Sequence, residues 1–217
     1  MEALIEKLKK APLVAVLVID DADDALPLGR ALLKGGVRAM ELTLRTPIAL
    51  DALERIVAEL PEMLAGVGTI LTPEQAVEAK RRGAAFGVAP GMNPRVIRAA
   101  MEAGLPFAPG IATPSDLEAA LELGCTVMKI FPAEPLGGVK YLKAIHAPYA
   151  HRGISFIPLG GLSADNLQSY LECPQVLAIG GSWIATRELI QKKNWDAITK
   201  NAEEATAIVA RVRGTGK

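Results

Sequence analysis

Short apolar runs recur about every 20–25 residues along the chain: LVAVLV from Leu13, AMELTL from Ala39, LAGVGTI from Leu64 and FGVAP from Phe86. They continue with LPFAPG from Leu105, TVMKIF from Thr126, ISFIPLG from Ile154 and VLAIGG from Val176. Runs this short and this continuously apolar suit strands buried on both faces. Most are separated by stretches such as 115–123, where apolar residues fall at three- and four-residue spacing and predict amphipathic helices. Strand and helix alternating through short connections imply a parallel sheet, and eight repeats favour its closure into a (β/α)8 TIM barrel of the α/β class. Residues 2–10 predict an extra N-terminal helix, and residues 194 to about 213 a final amphipathic one. With no linker or low-complexity segment, residues 1–217 read as one domain.

The punctuation agrees. Thr46-Pro47, Thr72-Pro73, Asn93-Pro94 and Thr113-Pro114 each predict an N-cap followed by proline at the first helical position. Thr72 and Gln75 have capping-box spacing. Gly35, Gly83, Gly104 and Gly124 stand where helices should end and a positive φ is needed.

Composition narrows the picture. Hydrophobic residues make up 50% of the chain and aromatics only 4%, so the core must be built from Ala, Val, Ile and Leu. The 24 basic and 24 acidic side chains cancel, leaving no general field to attract nucleic acid or an anionic membrane. Cys125 and Cys173 lack ligand spacing and read as reduced thiols. His146 and His151 share one polar stretch, AIHAPYAHRG, which predicts a surface loop rather than a metal centre. The apolar run 13–19 is followed by Asp20, Asp21, Asp23 and Asp24, where an export signal wants small neutral residues. The expectation is a cytoplasmic protein that needs no metal or other cofactor.

Charges inside apolar strands are the exception that points to chemistry. In AMELTL, period-two alternation puts Ala39, Glu41 and Thr43 on one face and Met40 and Leu42 on the other. The apolar pair should meet the helices, which turns Glu41 inward, with Arg45 on the same parity at the rim. In TVMKIF, Val127, Lys129 and Phe131 share the inward face. A buried Glu41–Lys129 salt bridge without catalytic duty is the bland alternative, but desolvation costs several kcal/mol per ion. Active sites of such barrels lie at the C-terminal ends of the strands. An interior lysine can condense with a ketone to an iminium, which makes a nearby carbon–carbon bond breakable. The amine must be neutral to attack, a state favoured by burial or a neighbouring cation and opposed by a neighbouring carboxylate. Glu41 is therefore assigned to moving protons, and Arg45 to gripping a substrate carboxylate with two parallel bonds. Gly160-Gly161, with Ser163 placed to cap the next helix, and Gly180-Gly181-Ser182 follow the seventh and eighth runs, where bare N–H groups can hold an anion.

The strings GGVRAMELTLRTP, GVGTILTPEQ, APGMNP, PGIATPSDLEAALELG, MKIFPAE, GGV, PLGGLSADN and IGGSWI occur in order. Together they resemble the 2-keto-3-deoxy-6-phosphogluconate / 4-hydroxy-2-oxoglutarate aldolase family over residues 13–195, nearly the whole chain. The resemblance implies a class I, Schiff-base aldolase: a metal-free (β/α)8 barrel, usually a homotrimer, acting on a small keto acid. It makes Lys129 the Schiff-base lysine, Glu41 the general acid/base, and Arg45 and Thr69 the carboxylate and pyruvate contacts. Pro90 and Phe131 would line the pocket, and Gly160, Gly161, Gly181 and Ser182 would hold a phosphate. The family often has threonine in the loop that reads Pro158-Leu159-Gly160-Gly161 here. Leu159 cannot replace that hydroxyl, which leaves open 4-hydroxy-2-oxoglutarate or another 2-keto-3-deoxy sugar acid as substrate. Three other readings share these residues: a phosphate-binding barrel isomerase or decarboxylase using Lys129 electrostatically, a non-enzymatic binding protein, and a metal-dependent aldolase. The intact Glu41/Arg45/Thr69/Lys129 set weighs against the second, and the shortage of histidine against the third.

Overall fold

The computed structural model describes residues 1–214; the last three of the 217 lie outside it. Strands β1 (Leu13–Leu17), β2 (Ala39–Thr43), β3 (Leu64–Gly68), β4 (Gly87–Val88), β5 (Phe107–Ala108), β6 (Gly110–Ile111), β7 (Val127–Ile130), β8 (Ser155–Pro158) and β9 (Ile179–Gly181) alternate with helices. The helices are α1 (Glu2–Lys10), α2 (Ala25–Lys34), α3 (Ala49–Glu59), α4 (Pro73–Arg81), α5 (Pro94–Glu102), α6 (Pro114–Glu122), α7 (Gly138–His146), α8 (Ala164–Leu171), α9 (Arg187–Gln191) and α10 (Trp195–Arg213). Among the described residues none is long and apolar enough to cross a membrane.

All strand pairs are parallel, in one sheet ordered β5-β4-β3-β2-β1-β9 and another ordered β6-β7-β8. The eight expected strands become nine segments because LPFAPG is interrupted at Pro109, which has no N–H to give to a ladder. Its carbonyl still accepts from the Lys129 N–H at 2.8 Å, so β7 bridges the break. At the other edge, the Phe156 N–H donates to the Gln175 carbonyl (2.8 Å) and the Leu177 N–H to the Phe156 carbonyl (2.9 Å), tying β8 to the segment that leads into β9.

Period-two alternation splits the apolar residues into two cores. Leu13, Ala15, Leu17, Met40, Leu42, Met128 and Ile130 pack with helix residues such as Leu28, Leu53 and Ile198. Val14, Ala39, Val88, Ala108, Val127, Ile157 and Leu159 form a second cluster on the opposite sheet face. Helix α1 joins this one: its buried Leu4 and Leu8, spaced one turn apart, cover the interior. Acidic Glu2 in its first turn and Lys7, Lys9 and Lys10 in its last complement the helix dipole.

Thr72, Asn93 and Thr113 cap their helices as expected, Thr72 and Thr113 with full capping boxes, and Asn194 caps α10. Thr46 does not. α3 starts only at Ala49, and the Thr46 hydroxyl donates instead to the Ile19 carbonyl, tying the β2 loop to β1. Gly35 is also corrected: its φ is −81°, and Gly36 takes the positive value of 86°. His146 belongs to α7, its ring edge-on to Phe156, and only His151 lies in the exposed turn that follows.

Candidate active site

Glu41 occupies the middle of β2, opposite Val16 on β1 and Gly66 on β3. Lys129 on β7 pairs with Gly110 and Ile157. The two strands belong to different sheets, and the side chains meet across the interior: Lys129 Nζ donates to Glu41 Oε1 at 3.3 Å, with 4% and 2% of the two residues exposed. A buried ion pair repays its desolvation only with excellent geometry and further hydrogen bonds. One contact at 3.3 Å is long beside the 2.7–2.9 Å typical of charge-assisted bonds. The pair is thus poorly suited to stabilising the fold and leaves both groups free to change partners. The ring of Phe131, itself exposed, lies 5.3 Å from the amine.

Room for Glu41 comes from β3. A methyl group on Gly68 would overlap the Glu41 carboxylate, so only glycine fits there. The next residue, Thr69, has φ 58°, a left-handed conformation that a β-branched residue rarely takes. Such strain costs about 1–3 kcal/mol and persists only where the surroundings enforce it, commonly at functional sites. Arg45 is exposed just past β2 and makes no ion pair among the described residues. Pro90 packs so closely on Gly110, the neighbour of Lys129, that a side chain at Gly110 would strike its carbonyl.

Gly160 and Gly161, with φ of 95° and 81°, turn the chain between β8 and α8, where Ser163 is the N-cap residue. The second glycine pair differs from expectation. Gly180 and Gly181 lie within β9, both buried, and only Ser182 is exposed beyond it. Gly180 makes space for Leu159 and Gly181 for the Trp183 ring, so both are packing positions as well. Leu159 is buried in the interior cluster.

Gly68 was passed over in the sequence, although two glycines within one apolar strand were a signal of close approach. The hydrogen bond from Tyr170 to Glu134 had no local signal at all. Burial pushes the Cys125 thiol up to about 11 and raises Cys173 as well, which makes both inert as nucleophiles. No group of three or more His, Cys, Asp or Glu side chains converges among the described residues.

A buried lysine and carboxylate brought face to face between two parallel sheets are groups that can break a carbon–carbon bond next to a carbonyl. The protein is such a lyase, and it belongs to the KDPG and KHG aldolase family, whose model matches residues 4–201. It is 41% identical to the 2-dehydro-3-deoxy-phosphogluconate aldolase of Haemophilus influenzae over 208 residues, 96% of this chain and 97% of that one. It is 42% identical to the KHG/KDPG aldolase of Escherichia coli K12, with 91% and 92% of the two chains covered. The solved KDPG aldolase from Legionella pneumophila superposes with a TM-score of 0.87 at 38% identity, covering 93% of this chain and 97% of that one. That structure holds pyruvate captured at low pH as a covalent carbinolamine intermediate.

Proposed function

We propose that this aldolase is of class I and cleaves 2-keto-3-deoxy-6-phosphogluconate, 4-hydroxy-2-oxoglutarate or both, releasing pyruvate with glyceraldehyde 3-phosphate or glyoxylate. The observation that carries the reading is the buried Lys129 amine 3.3 Å from the Glu41 carboxylate. Lys129 Nζ attacks the C2 ketone to give a carbinolamine, and Glu41 delivers the proton with which its hydroxyl leaves as water. The resulting iminium draws electrons from the C3–C4 bond as Glu41 takes the proton of the C4 hydroxyl. The aldehyde departs, the enamine is protonated at C3, and hydrolysis returns pyruvate and the free amine. Arg45 and Thr69 hold the pyruvate carboxylate, Pro90 and Phe131 wall the pocket, and Gly160, Gly161, Gly181 and Ser182 receive the phosphate.

The same proposal takes residues 1–217 as one closed (β/α)8 barrel with an N-terminal helix, working as a cytoplasmic homotrimer. The bonds from β8 to the segment before β9 support closure. A second reading, another 2-keto-3-deoxy sugar acid as preferred substrate, is favoured by Leu159, which offers a buried apolar surface and no hydrogen bond.

The test is Lys129→Arg, assayed by pyruvate release from both substrates. Arginine keeps the charge but cannot form the iminium, so activity should fall by at least about 1000-fold. An electrostatic lysine would leave the arginine variant within about tenfold of the wild type, and that result would overturn the reading.

A further inference from the structure

Tyr170 on α8 is fully buried, and its hydroxyl donates to Glu134 Oε1 at 2.5 Å. A buried tyrosine hydroxyl needs a partner, but any carbonyl would satisfy it. Here the acceptor is a carboxylate on the loop leaving β7, the strand that carries Lys129. That loop is laced to the glycine turn after β8. The Ala133 N–H donates to the Leu159 carbonyl (2.7 Å) and the Glu134 N–H to the Gly160 carbonyl (3.0 Å). Contact is close on both sides: a methyl on Gly161 would come 2.6 Å from Glu134 Cβ, and one on Gly160 would come 3.0 Å from Pro132 Cα. The start of α8 holds the same turn, with Asn166 Nδ2 donating to the Gly161 carbonyl at 3.1 Å.

Glu134 forms no ion pair among the described residues, so Tyr170 is the side chain that holds its charge. Held by Tyr170, the Glu134 carboxylate is directed toward α8 and the turn keeps its spacing from β7. We propose that Glu134 and Tyr170 are positioning residues for the phosphate end of the site, setting the Gly160-Gly161 turn relative to Lys129. This rests on the reading of that turn as the phosphate end.

The experiment is Tyr170→Phe, which removes one hydroxyl and keeps the ring. KM and kcat are measured with 2-keto-3-deoxy-6-phosphogluconate and with 4-hydroxy-2-oxoglutarate, alongside borohydride trapping of pyruvate. The expected result is a KM for the phosphorylated substrate raised about tenfold, with its kcat within about twofold. KM for the unphosphorylated substrate and the trapping rate should not change. Equal changes for both substrates, or none, would overturn the proposal. Glu134→Ala should repeat the effect, whereas Glu134→Gln, which keeps an oxygen for Tyr170, should not; this pair decides the matter if Tyr170→Phe folds poorly. Wild-type protein that fails to trap pyruvate would refute the lysine reading instead. Wild-type protein that traps pyruvate but binds both substrates equally would refute the phosphate end, and this proposal with it.

Discussion

Glu41 and Lys129 are the clearest case of side-chain placement legible from parity alone. Charges in apolar strands can point only inward or toward the helices, and the alternation of Met40, Leu42, Met128 and Ile130 chose the side. The details around them were less legible, because they depend on what the neighbouring strand brings. Gly68 is defined by the carboxylate it must clear, and the φ of 58° at Thr69 is imposed by its surroundings against its own preference. Tyr170 and Glu134, 36 residues apart, pair only once two loops have docked. Gly68→Ala is the residue-scale prediction. The added methyl should cost about 1–3 kcal/mol in chemical denaturation, because it overpacks the interior. By displacing Glu41 it should also lower kcat about 100-fold. Near-wild-type turnover in a folded Gly68→Ala protein would mean that the position of Glu41 does not matter.

Elements followed the sequence where their signals were local. The capping boxes of α4 and α6 satisfy free backbone donors with residues a single turn away, and α10 begins behind Asn194 as expected. The misreadings arose where a tertiary partner competed. Thr46 gives its hydroxyl to β1 rather than to α3, and Pro109 splits a strand whose apolar run looked continuous. Helix α1 was visible as a helix, but its duty was not, since only the folded sheet reveals that Leu4 and Leu8 enter the interior cluster. Leu8→Ala should therefore act as a core substitution, costing about 2–5 kcal/mol by urea unfolding through the cavity it leaves. Turnover at 25 °C should be unchanged, because α1 leads into the N-terminal end of β1, whereas sites in such folds lie at the C-terminal ends of the strands. An unshifted urea midpoint would show that α1 is merely appended.

The molecule as a whole shows why eight runs made a good first description and why they could not supply the last contacts. Repetition of strand and helix was written in the hydrophobic pattern, and the zero net charge removed nucleic acid and membrane as partners to expect. Beside the backbone bonds at the sheet edges stands a tie from side chain to backbone that had no sequence signal. Arg213 donates to the carbonyls of Leu171, Val176 and Leu177, fastening the end of α10 to the segment where β8 meets the chain entering β9. That frame keeps Lys129 opposite Glu41, and the central claim is that the lysine acts by forming a bond to the substrate. The most direct measurement is borohydride reduction in the presence of pyruvate, followed by mass analysis of the peptides, with a Lys129→Ala sample in parallel. The account expects a reduced pyruvyl adduct on the peptide containing Lys129 and none in the variant. A folded wild-type protein that acquires no adduct, or acquires it on another lysine, would contradict it.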